Sequence, residues 1–177
     1  ELADGVTGTE EAGLKAPFPW FGGKSKVAKP VWDRIGDTKN YVEPFAGSLA
    51  VMLARPQWDS VGGNWVDDTN RIETVNDADG FIANFWRAVQ HDPDAVAHWC
   101  DWPVNEVDLH ARHVWLVGQR DDFTAHLMGD PEFYDAKIAG WWVWGLSSWI
   151  GGGWCSGDGP WHSVDGRLVN IPRSKGG

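Results

Sequence analysis

Glu43-Pro44-Phe45-Ala46-Gly47-Ser48 places an acid, an aromatic ring and a glycine within six residues, directly after the strand-like run Asn40-Tyr41-Val42-Glu43. The carboxyl end of a strand, where it turns into a helix, is where an open α/β sheet receives its ligand. A glycine in that turn lets the backbone approach a bound group closely. Thirty residues after Gly47, Asp77 closes a second strand-like run, Ile72 to Asn76, where its carboxylate can accept hydrogen bonds from both hydroxyls of a ribose. A dinucleotide would need three spaced glycines to cradle its pyrophosphate on the helix N-terminus, and only Gly47 is present. A lone glycine is also what an ordinary strand-to-helix turn carries. With Asp77 added, the pattern predicts a site for a nucleoside without phosphate.

Other chemistry is thinly represented. His110 and His113 stand three apart on a predicted helix, a spacing that can turn two imidazoles toward one metal, but no third ligand is evident. A polar helix face, with Arg112 touching phosphate, is the preferred reading, and no metal site is assigned. Neither a nucleophile elbow, a Cys/His pair with an orienting partner, nor a phosphate-binding loop occurs. The two cysteines, Cys100 and Cys155, have no pairing motif and read as buried thiols.

The net charge of −10 excludes a surface that is basic throughout, because phosphate binding rests on Lys and Arg. The charge is uneven. Leu14 to Asn40 holds six basic residues against two acids, and Arg167 to Gly177 three against none, whereas Asp59 to His110 holds eleven acids and two arginines. Local basic faces remain open. No apolar run approaches the length of a membrane span, and no signal peptide is visible, so a soluble, cytoplasmic protein is expected. Of fourteen tryptophans, six fall between Trp141 and Trp161, which reads mainly as an aromatic core.

The elements that would position these residues follow from caps and periodicity. Residues 1–14 are expected to be disordered. Ser25 is positioned to cap a helix through Ile35, with Pro30 inside it and Gly36 ending it. After the strand at Asn40, a helix is predicted from Ser48 to Arg55, and a hairpin from Trp58 to Trp65. Asp79 then caps a helix through Gln90 with Ile82, Phe85, Trp86 and Val89 on one stripe. Two strand-helix alternations predict a parallel, doubly wound α/β layout over 15–91. Helices near 93–100, 105–118 and 131–149, then a hairpin at Trp161 to Ile171 around Asp165-Gly166, predict a helical, Trp-rich lobe over 92–177. Two strands are too few for a complete parallel sheet, so the fold class expected is an incomplete α/β, Rossmann-like domain carrying that lobe.

The run Pro17-Phe18-Pro19-Trp20-Phe21-Gly22-Gly23-Lys24, then Glu43 to Ser48, then Asn76-Asp77-Ala78-Asp79-Gly80 with Asn84-Phe85-Trp86-Arg87, resembles the Dam-like adenine-specific DNA methyltransferases, phage-type members in particular. The resemblance implies S-adenosylmethionine as cofactor and double-stranded DNA as partner. It implies that Trp20, Gly22, Gly23 and Lys24 line the methionine end, that Glu43, Phe45 and Gly47 form the turn beneath it, and that Asp77 holds the ribose. One departure is Leu49, where the family has a second glycine. More weakly, Gly166 to Arg173 resembles the family's recognition hairpin, which would bring Arg167, Asn170, Arg173 and Lys175 to DNA along with Arg112.

The family holds the target amine with an Asp-Pro-Pro-Tyr type tetrapeptide, and no Pro-Pro pair occurs here. No catalytic residue is therefore assigned. The missing motif and missing strands predict a partial methyltransferase, inactive by itself, whose sheet is completed by a downstream segment or a second chain. Two other readings compete: a non-catalytic cofactor- or DNA-binding module acting as decoy or regulator, and a Trp-rich sugar-binding module, which leaves the motif spacing unexplained.

Overall fold

A computed structural model of the chain describes residues 14–56, 71–149, 153–155, 161–165 and 167–170. They form a mixed α/β structure that is mostly helical, with a two-stranded parallel sheet and a separate antiparallel hairpin. Two compact units are present, one built from Gly22–Val75 with the segment ending at Pro17, the other from Phe18–Phe21 and Asn76–Gly177. Residues 1–13 and the hairpin expected between Trp58 and Trp65 lie outside the described residues.

In the first unit, α1 (Ser25–Ile35) matches its predicted bounds. Lys24 rather than Ser25 occupies the N-cap position, without a capping side-chain bond, and Gly36 ends the helix at φ 67°. Pro30 is the sixth residue of the helix, past the first turn, and removes the bond that an N–H there would make to the Lys26 carbonyl. Strand β1 (Asn40–Glu43) buries Tyr41 and Glu43 and exposes Asn40 and Val42, the alternation expected of a strand. Helix α2 is a single turn, Ala50–Leu53, shorter than the predicted Ser48 to Arg55: Leu49 at its N-cap is left-handed (φ 54°), and Ala54 and Arg55 close it with bonds to the carbonyls three residues back. Strand β2 (Ile72–Val75) pairs with β1 in parallel, from Asn40 beside Ile72 to Glu43 beside Val75. All four β2 side chains are exposed, a state parallel strands seldom keep. Trp32, Tyr41, Ala28 and Val51 form the core, and Trp32 Nε1 donates to the Val51 carbonyl at 2.7 Å.

The second unit is helical: α3 (Gly80–His91), α4 (Pro93–Cys100), α5 (Glu106–Gly129) and α6 (Ala136–Ser148), with the hairpin β3 (Trp161–Val164) and β4 (Arg167–Asn170). The caps Asp79, Asp92 and Asn105 act as predicted, each accepting from a first-turn amide. Two helix boundaries differ from expectation. Helix α5 runs eleven residues past 118, because Gly118 stands where nothing crowds it and Phe123 and Leu127 beyond it are buried. Asp130 closes α5 instead of starting α6, and Asp135 caps α6 by accepting from Ile138 at 2.8 Å.

Trp142 lies at the centre of this core, with the ring centroids of Phe18, Phe85 and Phe81 at 5.2, 6.1 and 6.4 Å. Two glycines on α6 make its packing possible. A Cβ at Gly140 would lie 2.4 Å from Trp99 Cβ, and one at Gly145 would lie 1.9 Å from the Trp154 ring. Trp154 is fixed there by its Nε1, which donates to the Trp142 carbonyl at 2.9 Å. Gly145→Ala should therefore destabilise the protein by about 1–3 kcal/mol despite alanine's better helix propensity. Gly118→Ala, in open space, should stabilise by about 0.5–1 kcal/mol. Urea denaturation of both variants checks the pair, and equal effects would contradict the packing assignment.

Candidate functional site

In the first unit, Tyr41 and Glu43 share the buried face of β1, two residues apart. The Tyr41 hydroxyl donates to Glu43 Oε2 at 3.0 Å. Burial, and next the charge of Glu43, push the Tyr41 phenol well above its ordinary range, so it stays protonated and remains a donor. The Lys24 ammonium lies 2.7 Å from Glu43 Oε1 and also donates to the Phe45 carbonyl. Its approach to Oε1 is an ion pair rather than an aligned hydrogen bond, which leaves that buried oxygen with unused acceptor capacity. Lys24 thus bridges the N-terminus of α1 and the turn after β1. Tyr41 was not anticipated from sequence; the signal available was its i, i+2 relation to Glu43 on a strand.

Gly22 and Gly47 both have positive φ, 73° and 51°, a conformation that favours glycine. A side chain at Gly22 would meet nothing within 4 Å, so the Gly22-Gly23 backbone faces open space. Phe45 is 80% exposed beside the turn. Leu49 shares the left-handed conformation at φ 54° although it carries a Cβ, while its side chain is 2% exposed. That backbone requirement accounts for a glycine at this point in the family that the sequence resembles.

In the second unit, Trp20 is half-buried against Phe18 and Trp142, with centroids at 6.2 and 6.1 Å. Asp77, half-buried, accepts from the Asp79 amide at 3.1 Å through Oδ1, which shapes the turn into α3. Asp79 in turn caps α3 through Phe81 N, and burial raises its carboxyl above the usual range. The Asn84 and Arg87 side chains hold the framework. Asn84 exchanges two hydrogen bonds with the Asp135 backbone, at 2.9 and 2.7 Å. Arg87 Nη1 donates to the carbonyls of Leu127, Asp130 and Phe133, which closes the C-terminal end of α5.

The residues expected at DNA are dispersed. Arg167 is exposed on β4, and Asn170 ends that strand beside Trp161. Arg173 and Lys175 lie outside the described residues. Arg112 is 7% exposed, with its guanidinium among three indoles rather than on the surface. His113, expected on a polar helix face, is 3% exposed instead. It stacks on Trp149 at 4.9 Å and meets Cys155 Sγ at 3.9 Å. Among the described residues no group of three potential metal-ligating side chains converges.

A parallel strand pair whose first strand ends in a glycine turn, together with a unit of four helices, defines a mixed α/β protein. The family model for D12 class N6 adenine-specific DNA methyltransferases matches residues 20–108, half of the chain, and the chain belongs to that family. The matched span holds Trp20 to Lys24, the Gly47 turn and Asp77, and ends before the hairpin. The family is one of S-adenosylmethionine-dependent methyl transfer to DNA. No curated protein and no solved structure matches the chain. Among the described residues, no helix is long and apolar enough to cross a membrane.

Two outcomes follow from the site's burial. Leu49→Gly relieves about 1 kcal/mol of left-handed strain but removes a buried side chain worth about 2–5 kcal/mol. It should lose about 1–4 kcal/mol net in chemical denaturation; a gain would mean that strain dominates. For His113, burial lowers the pKa from 6.5 to about 4. The unfolded chain therefore binds the extra proton between those values. Stability is intact above pH 6.5 and falls as pH drops toward 4, by on the order of 3 kcal/mol. His113→Phe should flatten that part of the melting temperature profile, and an unchanged profile would contradict the assignment.

Proposed function

We propose that this chain supplies the cofactor-binding and target-recognition parts of an enzyme that methylates the exocyclic amine of adenine in double-stranded DNA. The observation that carries the reading is the Lys24-Glu43 pair beside the Gly47 turn. An ammonium and a buried carboxylate with an unused acceptor are complementary to the zwitterionic amino-acid end of S-adenosylmethionine: Lys24 would pair with its carboxylate, and Glu43 would accept from its ammonium. Tyr41 holds Glu43 in place from behind. Gly22, Gly23 and Gly47 would let backbone approach the bound cofactor, Trp20 and Phe45 would add ring surface, and Asp77 would accept from the ribose hydroxyls. Bound there, S-adenosylmethionine supplies the methyl group.

The Rossmann-like assignment is supported by the parallel pairing of β1 and β2 and by the crossover between them, which contains α2. In the lobe, Arg167, Asn170, Arg173 and Lys175 would meet the duplex from the hairpin. Adenine's amine is a weak nucleophile because its lone pair is delocalised, and it must be flipped out and held by a carboxylate or amide. The Asp-Pro-Pro-Tyr type segment that would do this is not within these 177 residues. The chemical step therefore rests on residues supplied from elsewhere. The absence of that segment equally favours a second reading, a binding module without catalysis. The readings separate on whether adding a chain that carries such a segment produces methylated adenine.

Isothermal titration of S-adenosylmethionine into the protein should show one site, and Asp77→Ala should weaken it about tenfold or more, the loss of a charge-assisted pair of hydrogen bonds. Binding unaffected by that substitution would sink the ribose assignment. No heat in the unsubstituted protein would sink the pocket.

A further inference from the structure

Arg112 on α5 is the described cation whose surroundings are least complete. Its guanidinium carbon lies 4.1 Å from the ring centroid of Trp144, 5.0 Å from Trp141 and 5.3 Å from Trp102. Indole faces attract the positive charge, but a guanidinium carries its five N–H donors in its own plane, and stacked rings leave those donors without acceptors. Among the described residues no carboxylate is within ion-pair distance of Arg112, and Nη1 is buried with no hydrogen-bond partner. Asp108, one turn earlier, acts on it electrostatically, but its carboxylate accepts from Asn105 Nδ2 at 2.6 Å.

A second donor nearby is in the same condition. Trp141 Nε1 is also buried without an acceptor, and it belongs to a ring that Arg112 overlies. The Lys137 ammonium lies 4.4 Å from the centroid of that same ring. Two unmatched donors and two positive charges thus meet around one indole. A buried charge with no carboxylate in ion-pair contact is costly, and what completes such a site is an anionic oxygen. One wall is only partly covered. Trp102 belongs to the non-helical linker between α4 and α5 and is 44% exposed. Its carbonyl accepts from Trp144 Nε1 at 2.9 Å, so the backbone is anchored while the ring faces solvent.

We propose that Arg112 and Trp141 Nε1 form an oxyanion site behind the Trp102 ring that takes a phosphate group, either free or in a nucleic-acid backbone. Opening of the Trp102 ring admits the anion, Arg112 supplies charge and Nη1, and Trp141 supplies the second donor. For the nucleic-acid source the inference rests on the DNA reading above; for free phosphate it does not.

The test is a titration of the full chain with inorganic phosphate at constant ionic strength in chloride, read by tryptophan emission and melting temperature, with a short DNA duplex as a separate arm. Phosphate should produce a saturable rise in melting temperature and a change in emission. Arg112→Met, which keeps bulk and removes charge, should abolish both. Trp102→Ala leaves the guanidinium in place and should lower the half-saturating phosphate concentration severalfold, which keeps the idea testable if Arg112→Met does not fold. A duplex response that Arg112→Met diminishes assigns the site to backbone phosphate. A phosphate response with no duplex response assigns it to a free anion and counts against the DNA reading alone. No response to either titrant, an undiminished response in Arg112→Met, or a Trp102→Ala curve identical to the parent would overturn the proposal.

Discussion

The parallel sheet depends on one buried guanidinium. Two four-residue strands make few backbone hydrogen bonds, and a pair that short is marginal in water. Arg55, whose side chain is 1% exposed, donates from Nε to Asp37 at 2.9 Å, from Nη1 to Glu73 at 2.8 Å, and from Nη2 to the Thr38 carbonyl, while lying 5.5 Å over the Trp32 ring. Asp37 and Thr38 precede β1, Glu73 belongs to β2, and Arg55 follows α2, so one side chain joins every segment that sets the register. Arg71 adds a second arm to Asp37. Removing such a cation strands Glu73 and leaves Asp37 to Arg71 alone, while removing either acid leaves a half-matched buried charge. The register in turn places Glu43 at the end of β1, which is the condition for its meeting Lys24.

Legibility from sequence followed the range of the forces involved. Strand β1, helix α4 and the bounds of α1 were readable because caps and periodicity are local. The end of α5 and the start of α6 were not, because Gly118 and the Asp130-Pro131 pair look like a stop and a start when tertiary burial is unseen. What carried α5 past Gly118 was core space for Phe123 and Leu127, and what closed it was Arg87, 43 residues away from Asp130. The motif residues of the candidate site were legible as types at a spacing. Their geometry was not: nothing in Glu-Pro-Phe-Ala-Gly indicates that Glu43 is buried between Tyr41 and Lys24, or that Leu49 must adopt a left-handed backbone.

The Asn84 to Arg87 segment, which falls within the span that matches the family, holds the helical framework together. Asn84 locks the entry to α6, and Arg87 locks the exit of α5. Both act by satisfying backbone groups at helix ends, which otherwise lose solvent without gaining partners. Substitution at either position would change how the lobe is assembled and only secondarily what it binds.

Charge placement in the helical unit bears on how it could meet a polyanion. Its described cations are Arg87, Arg112, Arg120, Lys137 and Arg167. Arg87 is committed to carbonyls, Arg112 and Lys137 stand among indoles, and Arg120 acts on Asp79. Arg167 alone of the five is exposed on the hairpin. In a chain of net charge −10, long-range attraction to phosphate is therefore weak, and contacts must come from a few donors placed at short range. Under that condition a caged guanidinium has an advantage over a surface one. It stays desolvated and preorganised, so that a phosphate which reaches it meets a full charge in a low-dielectric setting, and the acidic remainder of the surface discourages attachment anywhere else.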